Sequence, residues 1–476
     1  MPETLDERQA AGLAVLQSLG AGKRQTAGLV LPPREAEEPS DGAAGRRRGG
    51  HRRRSRLWLS PGGTLAALLL LGVPAAIILL PGAVPLIYAA WMMPCLELAL
   101  IAVGTTWYRH RFREDATSFS HVIFQITTAG RESVRVQEII DQVRNYHLDM
   151  PFSIWVVTEP SDRTRYRDAD FVFRVPADFR CAARRKGRAL EYSRRIRERF
   201  GMNTADVKII LNDDDVTPTR AYIETAFRAA YDVCEGVVTP RTGYGLRPFG
   251  HFLASHADDI RTHACLVYCS VFQGIFRHPL HVHGEGLVIT GEAERIVGWD
   301  RDCMSEDLSF GQTACKLGLR WGWFHEYAEI TSPWTLREYF IQRRRWLWGD
   351  LHAIRSRDLM GWGAAARVCL KYAEGVLALS CSAVGLWLRL SGRIPATAGI
   401  LNFGKLAMIA WVALFFSCGW IAASSGHERR SDDSRMLAGV TAVLMMPVSV
   451  LLTFAAIVAP LAQGDPGDFK MIRKTR

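Results

Sequence analysis

The stretch Val207-Lys208-Ile209-Ile210-Leu211-Asn212-Asp213-Asp214-Asp215-Val216-Thr217-Pro218 is an aliphatic run that ends abruptly in three carboxylates. An apolar run of that length bounded by turn formers reads as a strand buried on both faces, the kind found in parallel sheets. Three adjacent anions repel one another unless a cation or a set of N–H donors neutralises them. A hard divalent ion, Mg2+ or Mn2+, shared between carboxylates and phosphate oxygens does this, which makes Asp213 and Asp215 candidate metal ligands. The ordinary alternative is an Asp-rich turn capping a helix that starts at Thr217-Pro218.

Upstream, His121-Val122-Ile123-Phe124-Gln125-Ile126 and Phe152-Ser153-Ile154-Trp155-Val156-Val157 repeat the strand pattern, and Ser133 to Tyr146 lies between them with Val134, Ile139, Ile140 and Val143 at helical spacing. Strand, helix and strand in that order predict an α/β domain with a mainly parallel, Rossmann-like sheet, whose ligands gather at the carboxyl ends of the strands. Polar residues stand at those ends, in Thr127-Thr128-Ala129-Gly130 and Thr158-Glu159. The next helix is predicted from Lys186 to Phe200, with Glu191, Arg194, Arg195 and Glu198 pairing along its solvent face.

Downstream, 92 positions after Asp215, Met304-Ser305-Glu306-Asp307-Leu308 places an acidic pair at a helix start. Another 35 positions on comes Gln342-Arg343-Arg344-Arg345-Trp346-Leu347-Trp348. Guanidinium forks bind oxyanions bidentately, so this run suits a diphosphate. Taken singly, the first is also an ordinary helix cap and the second a basic helix lying on lipid head groups. Between the two clusters, His281-Val282-His283-Gly284-Glu285-Gly286 is rich in glycine. His281 and His283 would share one face of a strand, but nothing nearby in sequence completes a metal-ligand set.

In order and separation, Asp213 with Asp215 (DxD), Glu306-Asp307 (ED) and Gln342, Arg345 and Trp346 (QxxRW) resemble the signature of the family 2 glycosyltransferases, which include cellulose, chitin, hyaluronan and mannan synthases. Within that family the chain is most similar to the egghead-type β-1,4-mannosyltransferases. That likeness rests on Lys186-Gly187-Arg188-Ala189-Leu190-Glu191-Tyr192, on His283-Gly284, and on Ser332-Pro333-Trp334-Thr335-Leu336 leading into the arginine run.

The resemblance implies a GT-A catalytic domain over about 115–360 and an inverting, metal-dependent transfer of a sugar, mannose as the best match. The donor would be a nucleotide-diphosphate sugar (GDP-mannose or a UDP-sugar), and the acceptor a hydroxyl on a lipid-linked or other glycan. It assigns Asp307 as general base beside Glu306. Donor contacts fall to Gln342, Arg345, Arg344, Thr128, Glu159, Lys186 and Asp214, and acceptor contacts to Trp346, Trp299 and Glu285. The alternative within the family is a processive synthase that polymerises and exports a β-glycan.

The flanks agree with a membrane enzyme. Apolar stretches at 64–81 and 84–106 precede the catalytic region and three more, at 366–388, 396–424 and 437–462, follow it, each near the ~20 residues a spanning helix needs. Residues 1–57 read as a disordered tail, and the arginines at 46–56 just before the first span place it and the catalytic domain in the cytoplasm by the positive-inside rule. The first two spans fill 58–108, the last three 361–464, and 465–476 is a basic tail. The chain has 476 residues and a net charge of +11, with only eight lysines among 59 basic residues. That arginine bias fits a GC-rich bacterial genome, and the spans then imply a multi-pass protein of the bacterial plasma membrane. The charge concentrates beside a span and no nucleic-acid-binding module is recognisable, so lipid rather than nucleic acid is the expected partner of the basic segments. The ten scattered cysteines, with no paired CxxC spacing, read as buried thiols in a reducing setting.

Overall fold

The computed structural model describes residues 84–114, 119–240, 249–355, 362–394, 398–424 and 432–466. Helix α1 (Val84–Arg111) leads into the catalytic region. There the chain forms β1 (His121–Thr127), α2 (Ser133–Arg144), β2 (Phe152–Thr158), β3 (Phe171–Arg174), α3 (Lys186–Arg199), β4 (Val207–Asp213) and β5 (Val216–Pro218). It continues through α4 (Arg220–Arg228), β6 (Val233–Pro240), α5 (Phe249–Ala264), a π-helix (Cys265–Gln273), β7 (Leu287–Thr290), α6 (Gly291–Val297), α7 (Glu306–Lys316) and β8 (Trp321–Ile330). Four further helices follow: α8 (Leu336–Arg355), α9 (Trp362–Leu390), α10 (Ala398–Ser424) and α11 (Asp432–Gln463).

The eight strands make one sheet in the order β3-β2-β1-β4-β7-β6-β8-β5. Its first four strands run parallel. β7 then pairs antiparallel with both β4 and β6, β6 and β8 run parallel, and β5 closes the edge antiparallel to β8. The α/β expectation holds, with antiparallel pairings mixed into the second half.

Each face of the sheet is covered for a reason visible in the strands. Val122, Phe124 and Ile126 of β1 point to one face, where they meet Val136, Ile139, Ile140 and Val143 of α2. Those four sit at i, i+3, i+4 and i+7, and burying each is worth roughly 1.5–3 kcal/mol. The stripe begins at Val136 rather than Val134, which is 75% exposed. Ile123 points to the other face and joins Ile209, Leu211, Leu190 of α3 and Phe310 of α7.

On α3 the predicted charge pairs form, with Arg194 2.8 Å and Arg195 2.9 Å from Glu191 and Arg194 3.0 Å from Glu198. Glu191, expected at the solvent face, is instead 1% exposed, because its carboxylate also accepts the backbone N–H of Trp299 at 3.2 Å. A second ion pair is wholly buried: Arg197 Nε donates to Glu294 Oε2 at 2.9 Å, tying α3 to α6.

Three segments are long and apolar enough to cross a membrane among the described residues: Ile87–Tyr108, Phe403–Ser424 and Ser434–Gln463. They carry exposed apolar side chains such as Leu96, Ile409, Leu444 and Leu451, which suits hydrocarbon surroundings. The stretch 366–388 is helical within α9 but is not among these three, its sequence being broken by Arg367, Lys371 and Glu374. The expected span at 64–81, the tail at 1–57 and all of the 465–476 tail from residue 467 on lie outside the described residues.

Candidate active site

Register in the parallel half brings the polar strand ends together. Thr127 of β1 pairs with Asp213 of β4, and the Thr128 N–H donates to Val157 O of β2 at 3.0 Å. The acidic turn after β4 is held by Asn212, whose amide donates to the carbonyls of Val216 (2.7 Å) and Asp213 (2.9 Å). Thr331 N–H donates to Asp215 O at 3.1 Å, fixing that turn to the chain beyond β8. The turn therefore leads into strand β5 rather than directly into a helix. The helix starts later, at Arg220, capped by Thr219 Oγ1, which accepts from Tyr222 N at 3.2 Å.

The acidic segments converge on Lys186, the first residue of α3. Its Nζ is 2.8 Å from Asp213 Oδ1, 3.6 Å from Asp307 Oδ2 and 3.7 Å from Glu306 Oε1. It also donates to Gly284 O at 3.4 Å. Burial alone would lower the Lys186 pKa, but the three carboxylates hold it well above its ordinary value. The carboxyls respond in kind. Burial pushes Asp213 up to about 6 against the pull of Lys186, and Glu285, Asp215 and Asp307 add to the rise. Burial likewise pushes Asp307 up to about 7, with Glu306 and Glu285 adding to it. A carboxyl in that range is suited to exchanging a proton near neutrality. Arg345, on α8, faces the same carboxylates, and burial lowers its guanidinium pKa while Glu306, Asp213, Glu285 and Asp215 oppose that.

These groups line one cavity of about 1660 Å³, together with Thr128, Glu159, Asp214, Glu285 and Trp346. Thr128 Oγ1 donates to Asp214 Oδ2 at 2.8 Å, and Glu159 pairs with Arg188 at 3.4 Å. Glu285 pairs with Arg261 at 2.8 Å. Trp346 has two guanidinium groups over its ring, Arg343 at 4.4 Å and Arg261 at 4.8 Å from the centroid.

Three residues named from the sequence stand elsewhere. Trp299, expected to offer a stacking face, is 3% exposed and stacks on Phe310 at 4.3 Å inside the core, its Nε1 donating to Glu294. Arg344 turns away from the cavity and donates to Gly464 O at 2.7 Å and Gln463 O at 3.2 Å, capping the end of α11. Gln342 is 1% exposed and does not line the cavity. Conversely, Arg261 carries no motif signal, and Gly284 stands out only as part of the His283-Gly284 likeness, not as a site residue. Arg261 lies in a helix whose polar side chains are mostly buried, and that shows only once the fold is in place.

The site thus gathers carboxylates from a strand end and a helix start around Lys186, with Arg345 across the same cavity. Residues 208–458 match the family described as glycosyl transferase family group 2. The chain belongs to that family and is a glycosyltransferase with an α/β catalytic domain of the GT-A kind and membrane-type flanking helices.

It is similar to beta-1,4-mannosyltransferase bre-3 of Caenorhabditis elegans, 22% identical over 370 residues that cover 74% of this chain and 78% of the relative. The same protein of Caenorhabditis briggsae gives 22% over 372 residues, with the same coverage. Among solved structures, mannosyltransferase PcManGT from Pyrobaculum calidifontis, in complex with GDP-Man and Mn2+, covers 75% of this chain and 99% of its own. Its TM-score is 0.41 and its identity 15%.

Proposed function

We propose that this enzyme transfers mannose, with inversion, from GDP-mannose to a hydroxyl of a lipid-linked acceptor at the cytosolic face of a membrane. The single observation that carries the acceptor class is the cavity. The space bordered by Asp213, Asp307 and Arg345 continues to Trp411, Phe415, Met446 and Val450 on the two long apolar helices α10 and α11. A hydrophobic tail bound there would leave its sugar head at the carboxylates. The mannosyl donor is supported by the 22% relatives over three quarters of the chain.

Asp213 and Asp215 fit a divalent ion, Mg2+ or Mn2+, because they are hard oxygen donors at a strand end, gathered where burial first and like charges second raise the Asp213 carboxyl. Such an ion would supply charge stabilisation for the departing diphosphate. Arg345 stands across from these acids and would meet the same phosphate oxygens, helped by Arg343. Asp307, on the first turn of α7, would take the proton of the acceptor hydroxyl as that oxygen attacks the anomeric carbon from the face opposite the leaving group. Lys186 holds the carboxylates of both segments at one place, and Thr128 and Glu159, which line the same cavity at the strand ends, would meet the nucleotide.

The test is transfer by the purified chain in lipid nanodiscs, with GDP-mannose, UDP-glucose and UDP-N-acetylglucosamine each offered with and without Mn2+. Mannose added singly to a lipid-linked acceptor only when Mn2+ is present is the expected result. Preference for a UDP-sugar, metal-independent transfer, or long insoluble polymer would contradict the proposal.

A further inference from the structure

In the wall of the cavity, whose lining includes His281 and His283, four side chains with metal-binding atoms come together. Cys265 and Cys269 lie four apart in the π-helix, and His281 and His283 two apart in the segment leading into β7; all four are buried. Cys265 Sγ is 3.1 Å from His283 Nε2, Cys269 Sγ is 3.3 Å from His281 Nε2 and 3.7 Å from His283 Nε2, and the two Nε2 atoms are 3.0 Å apart. The ligand atoms of Cys265, Cys269 and His283 all lie within 4.8 Å of one another.

These separations are four of the six edges of a tetrahedron, and the Cys265–Cys269 edge lies within 4.8 Å. An ion at about 2.3 Å from sulfur and about 2.0–2.1 Å from nitrogen has ligand-to-ligand edges of about 3.3–3.8 Å. The four measured Cys–His and His–His separations reach that range with shifts of a few tenths of an ångström, whereas the Cys265–His281 edge lies outside the compact Cys265, Cys269 and His283 group and closes only when the His281 ring moves toward Cys265. Hydrogen bonding explains the arrangement poorly, since two facing imidazole nitrogens share a single proton and thiols are weak donors and acceptors. Two thiolates and two neutral imidazoles around a dication carry no net charge, so the unit suits a buried position.

The surroundings hold the ligands in place. Glu235 accepts the backbone N–H of His283 at 3.0 Å, and Gln273 donates to both Glu235 and His281 O. A π-helix is rare, and where one occurs it is often at a functional site.

We propose that Cys265, Cys269, His281 and His283 bind one structural Zn2+ ion, distinct from the divalent ion assigned to the acidic turn. Soft sulfur and imidazole donors select zinc, whereas the oxygen donors of Asp213 and Asp215 suit Mg2+ or Mn2+. The ion fastens the 281–286 loop to the π-helix. That loop carries Gly284 against Asp307 and Lys186 and Glu285 against Arg261, so zinc rigidifies one wall of the cavity without touching the reacting atoms.

The full chain, purified without chelator, should contain about one zinc per molecule by elemental analysis, with two sulfur and two nitrogen neighbours in X-ray absorption at the zinc edge. Cys265→Ser with Cys269→Ser should lose that zinc and unfold at lower temperature. Asp213→Asn with Asp215→Asn should keep it, which separates this site from the catalytic reading. If the cysteine variant does not fold, the wild-type absorption spectrum still decides the matter. Absence of zinc above the buffer blank, a shell without sulfur, or a Cys265–Cys269 disulfide found by mass spectrometry would overturn the proposal.

Discussion

Gly284 sits so close to Asp307 that a β-carbon on it would stand 2.0 Å from Asp307 Oδ2 and 2.5 Å from Lys186 Nζ. Only a residue without a side chain leaves the carboxylate and the ammonium group where they are. Gly284→Ala should therefore push Asp307, the proposed base, out of line, and a displacement of ~1 Å at a reacting group costs about 10² in rate. Turnover measured beside the thermal unfolding temperature checks this. A hundredfold loss with little change in unfolding is expected, and unchanged turnover would mean that Asp307 does not need this position.

The two neighbouring arginines of α8 should separate cleanly. Arg344 caps the carbonyls at the end of α11, whereas Arg345 faces the carboxylates across the cavity. Arg345→Ala should remove donor-dependent turnover by a factor of about 10²–10³, the scale of losing one preorganised charge donor. Arg344→Ala should lower thermal stability and leave turnover within about twofold, since a cap contributes on the order of 1 kcal/mol. Steady-state rates for both variants decide it.

The Arg197–Glu294 pair has no solvent exposure on either side chain. Arg197→Met alone strands a buried carboxylate and should destabilise the fold by about 3–5 kcal/mol. Adding Glu294→Leu to the same chain should recover a good part of that loss, because two apolar groups leave no unpaired charge. Unfolding temperatures of the two variants against the parent test the coupling.

His121 at the start of β1 pairs with Ser153 Oγ at 2.8 Å, and burial lowers its pKa to about 4, with Asp170 opposing. Above its unfolded value near 6.5 the residue is neutral in both states and costs nothing. As the pH falls from about 6.5 toward 4 the unfolded chain takes up a proton that the folded chain resists, so stability is lost across that window, by roughly 3 kcal/mol in full. His121→Gln should flatten the loss between pH 6.5 and 4 when unfolding temperature is followed against pH; an equally steep loss in the variant would assign it to other groups.

How much of this was legible in the sequence follows from what each signal rests on. The strands ending at Thr127, Thr158 and Asp213 were readable because continuous apolar runs stop at polar residues, and period-3.6 spacing located the helix after β1. The antiparallel β7 was not, since Leu287–Thr290 is four residues long and its pairing with β4 and β6 is set by distant chain. The acidic and arginine segments were visible as clusters, but the meeting of the acidic ones at Lys186 depends on how the helices that carry Lys186 and Glu306-Asp307 pack on the sheet. Trp299 misled because an aromatic beside glycine looks like a sugar platform, while its indole is spent on Glu294 and Phe310. The pair His281 and His283 was visible in the sequence, but nothing tied Cys265 and Cys269 to it, because their spacing matches no finger pattern. Only the π-helix brings both sulfurs to the histidines.

The most direct measurement is made on Asp307→Asn, with GDP-mannose binding and transfer recorded on the same preparation. If Asp213, Asp215 and Arg345 hold the donor while Asp307 takes the acceptor proton, binding stays within a few fold and transfer falls by about 10²–10⁴. Transfer at the parent rate would contradict the shared-cavity reading.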